Sequence, residues 1–387
     1  MPVKNRFAEM LPELTAIRRD FHENPELLFE VHRTAAKVAD LLRSYGCDEV
    51  VEGIGRTGVV GVIHGKTDSG KVVGLRADMD ALPIKEATGL DYASKTPGIM
   101  HACGHDGHTT MLLGAAKYLC ETRNFDGKAV VIFQPAEEGG GGGHEMCKDG
   151  MMDRWGINEV YGMHNMPGIP VGQFEMRTGP IMAAADQFQI TVTGKGGHAA
   201  KPHECIDTLL VASHIIVALQ SIASRNVDPM KQIVVSTCAI STDSNAHNVI
   251  PQTVVLKGTV RTFDAAVQDQ VEARLMVLPV QMAAAFGASA EVVFERGYPA
   301  TVNAVENTGF AAVVALAVSG KVNTDTAPLM GAEDFSFMLN ERPGAYIFLG
   351  NGDTAMVHHP AYNFDDDAIP FGASWYAGMV EARMPAA

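Results

Sequence analysis

Positive charge is scarce in this sequence. Its 30 lysine and arginine residues face 45 aspartate and glutamate residues, which leaves a formal net charge of -15. A surface of that sign repels a polyanion such as nucleic acid over most of its area. We therefore predict no nucleic-acid partner.

Clustered cysteines and long apolar runs are also missing. The six cysteines are scattered without a CxxC pair, unlike the framework of a disulfide-stabilised domain. The first residues, "MPVKNRFAEMLPELTAIRRDFH", alternate charged and apolar side chains, and no later run resembles a membrane span. These absences predict a cytoplasmic protein with no membrane partner.

The sequence does contain ample material for a large core. Hydrophobic residues make up 47% of its 387 positions and charged residues 19%, a composition typical of globular proteins. A chain of this length usually divides into domains of roughly 100 to 200 residues. We therefore expect about two domains.

The order of apolar patterns indicates an α/β architecture. Two amphipathic stretches, residues 7–22 and 30–45, predict helices, and Gly46 provides the usual helix C-terminus. Short β-rich runs such as "TGVVGVIHG" and "GKAVVIFQP" then alternate with helical runs, one of them over residues 109–121. This alternation predicts an open, mostly parallel sheet.

A different pattern begins at Gln187. The segment "QFQITVT" alternates apolar and polar residues, as a half-buried strand does, and the following segments have the order β-α-β-β-α-β of a ferredoxin-like module. Pro279 is expected to break or kink the second helix of this module. We predict a larger domain over residues 1–185 and 298–387, interrupted by an inserted module over residues 186–297.

Chemically active side chains follow the strands of the larger domain where those strands end. The segments "RADMD", "QPAEE", "MHN" and "VHHP" follow predicted strands, and "HACGHDGH" precedes a predicted helix. Because the carboxyl ends of strands in an open α/β sheet form its ligand crevice, we expect these segments to converge. The residues concerned are Asp78, Asp80, Cys103, His105, Glu137, Glu138, His164 and His358.

This set predicts a metal centre, because zinc, manganese and cobalt accept cysteine, histidine and carboxylate ligands. The candidate ligands are Cys103, His105, Glu138, His164 and His358. They exceed what one tetrahedral ion with an open water position needs, so two divalent ions sharing a ligand are the more economical interpretation. Glu137 is then available as a general base. The other polar residues of these segments are expected to orient the ligands by hydrogen bonds: Asp80, His101, Asp106 and His108.

Each candidate also has a purely structural interpretation. A single histidine at a strand end is more often hydrogen-bonded than bound to a metal, and an "EE" pair is usually solvated. Glu137 and Glu138, however, follow the apolar strand "AVVIF" and precede five glycines, where two solvated carboxylates serve no evident purpose. The coincidence of all the segments favours the metal centre.

Nine segments in order resemble a known family, the M20 metallopeptidases, and within it the hippurate hydrolase and amidohydrolase subgroup. They are "RADMDALP", "MHACGHDGH", "QPAEEGGGG", "GMHN", "GKGGHAAKPH", "NVIP", "GTVRTF", "GAEDFS" and "HHPAYNFDDD", and they span nearly the whole chain. The resemblance implies two divalent ions in an open α/β catalytic domain and an inserted ferredoxin-like α+β domain that acts as a lid and dimerises. It therefore implies a homodimer or a dimer-based tetramer.

The resemblance also implies roles for individual residues. The five candidate ligands match the family's metal ligands, with Cys103 as the bridging one, and Glu137 matches its general base. His198 matches the residue that hydrogen-bonds the oxyanion in a partner subunit's active site. Asn248 and Arg261 match positions that hold the substrate carboxylate.

The strand pattern supports part of this for Arg261. In "TVVLKGTVRTF" this residue falls on a mostly polar face, where a guanidinium can bind a carboxylate through two hydrogen bonds. The structural alternatives are a turn residue for Asn248 and a solvated sheet residue for Arg261.

The expected activity is hydrolysis of the amide bond of an N-acyl amino acid, giving a carboxylic acid and a free amino acid. Benzoyl, acetyl, indole-acetyl and succinyl substrates all fit the segments. The alternatives are a dipeptidase or aminopeptidase of the same family, an N-acetyl-diaminopimelate-type deacetylase, and a non-catalytic metal-dependent binding protein. A binding protein would not need Glu137, His198 and Arg261 together, and no carboxylate motif for a substrate α-amine is evident in the module.

Overall fold

The computed structural model describes residues 4–386, which form two compact units. The first unit contains the chain up to Ile181, Val302–Ala327 and the segment from Asp334 onward. The second unit contains Met182–Thr301 and Pro328–Glu333.

The helices and strands follow one another along the chain in a fixed order. Up to the end of the first segment they are α1 (Asn5–Glu23), α2 (His32–Tyr45), β1 (Glu49–Ile54), β2 (Gly58–His64), β3 (Thr67–Asp78), α3 (His105–Thr122), β4 (Asp126–Gln134), α4 (Gly142–Lys148), α5 (Met151–Arg154), β5 (Glu159–Met166), β6 (Phe174–Glu175) and β7 (Gly179–Met182). Next come β8 (Ala184–Thr193), β9 (Gly197–His198), α6 (Thr208–Ser221), β10 (Ile233–Thr242), β11 (Val249–Ile250), β12 (Thr253–Thr262), α7 (Ala265–Ala285) and β13 (Ser289–Tyr298). The last are β14 (Thr301–Asn303), α8 (Val305–Ser319), β15 (Val322–Asn323), α9 (Phe335–Glu341), β16 (Gly344–Gly350) and α10 (Ile369–Arg383).

The first unit is built on an eight-stranded sheet with the order β1-β2-β4-β3-β5-β16-β6-β15. Its four central strands, β4, β3, β5 and β16, are parallel. Strand β1 pairs antiparallel with β2, β2 with β4, and β6 with β16. The sheet is therefore mixed, and the prediction of a mostly parallel sheet holds for its centre and for the short pairing of β15 with β6. One reason is that residues 55–57 are too few for the crossover that parallel β1 and β2 would require.

Strands β4, β5 and β16 are buried along almost their whole length, and β3 is buried over its second half, as expected of a sheet covered by helices. The first unit's core joins these strands to α1, α2, α3, α8 and α10. Helix α2 ends at Gly46, whose φ of 88° is the left-handed conformation expected of a terminating glycine. A packed sheet therefore supports the segments that follow the central strands at its carboxyl edge.

Helix α3 begins earlier than the sequence pattern predicts. It starts at His105 instead of residue 109, directly after Gly104, which has a φ of 88°. The glycine and histidines of this segment have low helix propensity, so sequence alone does not mark the first turn as helical. The helix is buried through most of its length, and the packing of its sides supplies the missing stability. As a result, His105 and His108 lie on its first turn.

The second unit has the β-α-β-β-α-β order: β8, α6, β10, β12, α7 and β13. Its four-stranded sheet is antiparallel throughout, with the order β10-β12-β8-β13. Along β8 the residues Phe188, Ile190 and Val192 are buried against the helices, while Gln187 and Thr193 are exposed. The half-buried strand predicted from "QFQITVT" is confirmed.

Helix α7 continues through Pro279, so the predicted break does not occur. Proline removes one backbone hydrogen bond, but Pro279 is buried beside Val271, Leu275 and Ala283 on the inner face of the helix. Packing of this face against the sheet compensates for the lost bond.

One helix of the described residues, Thr208–Asn226, is long and apolar enough to cross a membrane by length and composition. Its buried residues, among them Val211, Ile215 and Leu219, belong to the core of the second unit. The apolar composition of this helix is therefore also explained by its packing on the sheet of the second unit.

Candidate dinuclear metal centre

The site lies at the carboxyl edge of the central parallel strands. Strand β3 ends at Asp78, β4 at Gln134, β5 at Met166 and β16 at Gly350, and these four strands are neighbours in the sheet. Parallel neighbours end on the same side, so the segments that follow them are brought together. The convergence that the sequence predicts is therefore present in the first unit.

Two groups of potential ligands share Cys103. One group contains Cys103, His105 and His164, and the other contains Cys103, Glu138 and His358; within each group the ligand atoms lie within 4.8 Å of one another. The structure thus brings all five predicted ligands together. A cysteine common to both groups is the arrangement expected of a ligand shared by two ions.

Interatomic distances within these groups suit a divalent ion. Cys103 Sγ lies 3.2 Å from His164 Nε2. His358 Nε2 lies 3.2 Å from Glu138 Oε1. Tetrahedral zinc, with bonds of about 2.3 Å to sulfur and about 2.0 Å to nitrogen or oxygen, holds neighbouring ligand atoms roughly 3.5 Å apart.

Buried polar atoms without partners give a second test of the fit. Both ring nitrogens of His105 and Oε1 of Glu138 are buried and have no hydrogen-bond partner. Such atoms are rare in folded proteins because each one costs the free energy of its desolvation. Thiolate, imidazole and carboxylate donors in this arrangement fit a pair of divalent cations.

Asp80 holds the two glutamates in place. Its carboxylate accepts hydrogen bonds from the backbone N–H groups of Glu137 (2.9 Å) and Glu138 (3.1 Å). It also lies 3.5 Å from Nδ1 of His105. Ala136, just before the glutamates, has a φ of 52°, a conformation that costs a non-glycine residue energy and redirects the chain here. These contacts are consistent with the orienting role predicted for Asp80.

His358 is also held in a strained backbone conformation. Its φ is 66°, and its backbone N–H donates a 2.7 Å hydrogen bond to the carbonyl oxygen of Ala102. Strain of this kind persists only where surrounding contacts impose it, and it concentrates at functional sites. The contact with Ala102 joins the loop after β16 to the segment that carries Cys103.

Asp78 and His108 form a buried pair behind the ligands. His108 Nδ1 donates a 2.7 Å hydrogen bond to Asp78 Oδ1, because its Nε2 accepts from the backbone N–H of Asn165 at 2.9 Å. Arg76, also buried, donates to Asp78 at 2.7 Å and to Asp334 at 3.0 Å. His108 thus connects Asp78 to Asn165, and its role in orienting the ligands stays a prediction, while Asp78 belongs to neither group that contains Cys103.

The electrostatic field of the centre is negative. Burial, and then the carboxylates of Glu138, Glu137 and Asp78, raise the pKa of the Cys103 thiol well above its usual value. Burial alone would lower the pKa of His105, but Asp78, Asp80 and Glu138 outweigh it and raise that pKa to about 10. This surplus of negative charge favours the binding of cations here.

A buried pair next to the centre has no signal in the sequence. His22 Nδ1 donates to Asp106 at 2.8 Å, and its Nε2 lies 3.3 Å from Glu86. Arg18 is also fully buried, 3.5 Å from Asp106. Nothing in the pattern of α1 distinguishes His22 from a residue of the apolar face, and only the fold shows that Asp106 faces it.

The residues predicted in the inserted module lie in the second unit. His198 belongs to a two-stranded sheet, and Asn248 directly precedes the other strand of that sheet. His198 on β9 pairs with Val249 on β11, and the carbonyl oxygen of Asn248 accepts from Ala199 at 3.0 Å. The backbone N–H of Ala200 donates to Nδ1 of His198 at 3.1 Å, so the ring proton is on Nε2. His198 and Asn248 are exposed and adjacent.

Arg261 lies on β12 of the other sheet in this unit. Its guanidinium donates to the side-chain oxygen of Thr259 and to the carbonyl oxygen of Val260 at 3.0 Å. The Thr259 hydroxyl in turn donates to the carbonyl oxygen of Asp186 at 2.8 Å. The arginine is thus held at the sheet surface by its own strand.

Sequence comparison assigns a family. The pattern of Peptidase family M20/M25/M40 matches residues 74–382. The chain belongs to this family. It is 44% identical over 358 residues to an N-acetyl-L-cysteine deacetylase of Bacillus subtilis, covering 92% of this chain and 85% of that one. It is 43% identical over 369 residues to a hippurate hydrolase of Campylobacter jejuni, covering 95% of each.

A solved M20 structure supports the same interpretation of the centre. A dinuclear metal-binding peptidase of this family from Bacillus subtilis superposes with a TM-score of 0.85 at 32% identity, covering 97% of this chain and 99% of that one. This chain is thus a hydrolase of the M20 family, which includes amidohydrolases, and it contains candidate ligand groups for a dinuclear centre.

Proposed function

We propose that this M20 protein hydrolyses the amide bond of N-acyl amino acids with two divalent metal ions, releasing a carboxylic acid and a free amino acid. The observation that carries this proposal is the pair of ligand groups that share Cys103, with Glu137 beside them. The named activities of two relatives, a hippurate hydrolase and an N-acetyl-L-cysteine deacetylase, support the substrate class. Both cleave an acyl group from an amino acid nitrogen.

In this proposal, Cys103, His105 and His164 would hold one ion, and Cys103, Glu138 and His358 would hold the other. When bound, zinc, manganese or cobalt ions would polarise the acyl carbonyl and make the attacking water more acidic. Glu137 accepts the proton of the attacking water and returns it to the nitrogen of the leaving amine. The carboxylate of Asp80 holds Glu137 in position by accepting a hydrogen bond from the backbone N–H group of Glu137.

The second unit contributes three groups in this proposal. His198 donates the proton of its Nε2 to the oxyanion that forms during attack, in the active site of the partner subunit. Asn248 and Arg261 bind the α-carboxylate of the substrate. A substrate with a free carboxylate is then favoured over an internal peptide bond.

The proposal further assigns the second unit a role as lid and dimerisation domain of a cytoplasmic homodimer or dimer-based tetramer. A group of exposed apolar side chains on α7 supports the dimer: Met276, Val277 and Val280. Exposed apolar patches of this kind usually mark an interface between proteins.

The decisive experiment is a substrate panel with defined metals. Protein stripped by a chelator is reloaded separately with zinc, manganese or cobalt and tested on hippurate, N-acetyl-cysteine, other N-acetyl, indole-acetyl and N-succinyl amino acids, and N-acetyl-diaminopimelate. Dipeptides, whose acyl group carries a free α-amine, and the amide of hippurate, which lacks the carboxylate, serve as controls. We expect turnover of N-acyl amino acids only. Turnover of dipeptides alone would instead indicate a peptidase, and turnover of none would contradict an amidohydrolase of this substrate class.

The role of His198 has a separate test. A His198→Ala variant and a Glu137→Gln variant are each expected to be inactive. Mixing them under conditions that exchange subunits should restore part of the activity, because one hybrid site then has both functional groups. If activity does not recover although mass labelling verifies the exchange, His198 acts in the active site of its own subunit or has no role in the reaction.

A further inference from the structure

We propose that the side-chain amide of Asn165 is the positioning group that fixes the Cys103 segment for metal binding; this rests on the metal pair of the proposed function. Asn165 is fully buried and directly follows His164 near the end of β5. Its side-chain Nδ2 donates a 2.6 Å hydrogen bond to the carbonyl oxygen of Cys103. The backbone carbonyl oxygen of Asn165 accepts a hydrogen bond from Nδ1 of His164 at 2.5 Å.

These two bonds act on different properties of the ligands. Because a carbonyl oxygen only accepts, Nδ1 of His164 carries the ring proton, and the lone pair of Nε2 is left for a metal. The bond to the Cys103 carbonyl fixes the peptide that leads into Gly104 and α3. The bond to His164 uses a backbone carbonyl that any residue at this position would provide, whereas the bond to Cys103 requires the side-chain amide of Asn165.

Asn165 is itself held from two sides. The hydroxyl of Tyr362 donates to its Oδ1 at 2.7 Å, and its backbone N–H donates to Nε2 of His108 at 2.9 Å. Since Nδ2 must be the atom that faces the Cys103 carbonyl, the orientation of the side-chain amide is determined. Tyr362 comes from the loop that also carries His358, so the contact connects this loop to β5.

The close packing explains the glycine after Cys103. A Cβ atom at Gly104 would lie 2.3 Å from both Nδ2 of Asn165 and the hydroxyl oxygen of Tyr362. No side chain fits there, and the left-handed φ of 88° also favours glycine. The Cys103–Gly104 segment is thus pressed against the Asn165 amide, which is what a positioning contact requires.

The test compares Asn165→Ala with Asn303→Ala, both loaded with cobalt. Asn303 is a matched control because it is buried and its Nδ2 also donates to backbone carbonyl oxygens, those of Arg177 (3.0 Å) and Tyr346 (2.8 Å). The readouts are the dissociation constant of cobalt, the thiolate-to-cobalt charge-transfer absorption, and Tm. We expect Asn165→Ala to weaken cobalt binding about 10- to 100-fold and to shift the absorption. Asn303→Ala should lower Tm but leave both cobalt readouts unchanged.

The milder variant Tyr362→Phe removes only the hydroxyl that orients the amide and decides the case if Asn165→Ala does not fold. We expect it to shift the same absorption in the same direction by a smaller amount. Wild-type cobalt affinity and absorption in whichever of these variants folds would overturn the positioning role. A wild-type protein that shows no thiolate-to-cobalt absorption would overturn the proposed metal pair itself, which is a different result.

A second, independent observation concerns two cysteines outside the centre. Sγ of Cys47 and Sγ of Cys120 lie 3.6 Å apart, and both residues are partly exposed. We infer that they form a thiol–disulfide exchange site that reacts with low-molecular-weight disulfides. Closing a disulfide bond requires the two sulfurs to approach by only about 1.5 Å, since the bond is about 2.05 Å long.

The backbone around the pair is fixed by Arg123. Cys47 follows the end of α2, and Cys120 lies in the last turn of α3. Arg123 donates to the carbonyl oxygen of Gly46 at 2.9 Å and to the carboxylate of Asp48 at 2.8 Å. These contacts hold the loop with Cys47 against the end of α3.

Either thiol can react first, because either sulfur can donate the hydrogen bond that joins them. When Cys120 reacts first, its thiolate attacks one sulfur of the disulfide reagent, forming a mixed disulfide and releasing one thiolate. Cys47 then loses its proton and attacks the Cys120 sulfur, releasing the second thiolate. The protein loses two electrons, and one reagent disulfide is reduced to two thiols.

The test treats the metal-loaded protein with oxidised glutathione and then counts free thiols and maps disulfides by mass spectrometry. We expect a Cys47–Cys120 cross-link, the loss of both of these thiols, and a higher Tm. Cys47→Ser should instead trap glutathione on Cys120, whereas Cys238→Ser, which removes an exposed thiol, should still form the cross-link. A wild type in which Cys47 and Cys120 stay as thiols, or carry only mixed disulfides, would overturn the inference.

Discussion

Nε2 of His358 lies 3.2 Å from Oε1 of Glu138, and that carboxylate oxygen has no hydrogen-bond partner. The two residues come from segments that follow different strands, and each is oriented by backbone contacts: His358 by Ala102 and Glu138 by Asp80. Contacts between protein groups alone therefore leave a buried acceptor unsatisfied in a preorganised pair. A cation between the ligands removes that cost.

Removal of metal is expected to destabilise the protein as well as inactivate it. Ions bound only by the folded state stabilise it, by about 4 kcal/mol when the free ion is at 1,000 times its dissociation constant. Tm of chelated protein should therefore fall by several degrees and recover on reloading with zinc. The control is chelator already saturated with zinc. An unchanged Tm in protein shown to be metal-free would contradict this coupling.

Glu137→Gln is expected to separate catalysis from metal binding. The amide keeps the shape of the carboxylate but cannot accept a proton, and a general base typically contributes about 100- to 10,000-fold to the rate. We expect kcat to fall by at least that lower factor, with metal content and Tm close to wild type. Near-normal turnover of the metal-loaded variant would remove Glu137 from the proton transfer.

The sequence was sufficient to predict the convergence of the metal-centre residues. Each candidate ligand belongs to a segment with its own local signal: a β-rich run followed by histidine or carboxylate residues, or a glycine-spaced run before a helix. Parallel strands end on one side of a sheet, so local signals sufficed to bring Glu138, His164 and His358 together.

The supporting contacts could not be predicted in the same way. Tyr362 and Asn165 are far apart in sequence, and a hydrogen bond between them depends on the register and packing of the loop after β16. The antiparallel edge of the sheet and the helical start at His105 were missed for a related reason. Both depend on packing and connection geometry that apolar periodicity does not encode.

The buried pair of His22 and Asp106 predicts a pH dependence of stability. Burial alone would lower the pKa of His22, but its hydrogen bonds to Asp106 and Glu86 outweigh burial and raise that pKa from 6.5 to about 9. A group whose pKa is raised in the folded state contributes stability that is fully present below its unfolded pKa. This contribution is lost as the pH rises toward 9. The shift corresponds to roughly 3 kcal/mol.

The measurement is the difference in unfolding free energy between wild type and His22→Gln as a function of pH. We expect the advantage of the wild type to be largest near pH 6 and to shrink between pH 6.5 and 9. His32→Gln is the control, because that histidine is exposed. A difference that stays constant across this range would contradict a charged His22 in the folded protein.

Arg261→Lys is expected to impair binding of the substrate carboxylate more than the chemical step. Lysine keeps the charge but cannot form two parallel hydrogen bonds with a carboxylate. We expect KM for hippurate to rise about tenfold or more, with a smaller change in kcat. Lys257→Arg on the same strand provides a charge-preserving control. An unchanged KM for the acid substrate would show that another group binds the carboxylate.

The exposed apolar surface of α7 is expected to lie in a dimer interface. Met276, Val277 and Val280 are 42%, 41% and 42% exposed, and they extend along one side of the helix. A buried, unpaired carboxylate in such an interface costs several kcal/mol, so Val277→Glu should convert dimer to monomer at micromolar concentration. Val313→Glu on α8, at a residue 66% exposed, is the matched control and should leave the oligomer unchanged. Light scattering coupled to size-exclusion chromatography distinguishes these outcomes. A Val277→Glu protein that remains dimeric would exclude this surface from the interface, and dissociation by Val313→Glu would place the interface on α8.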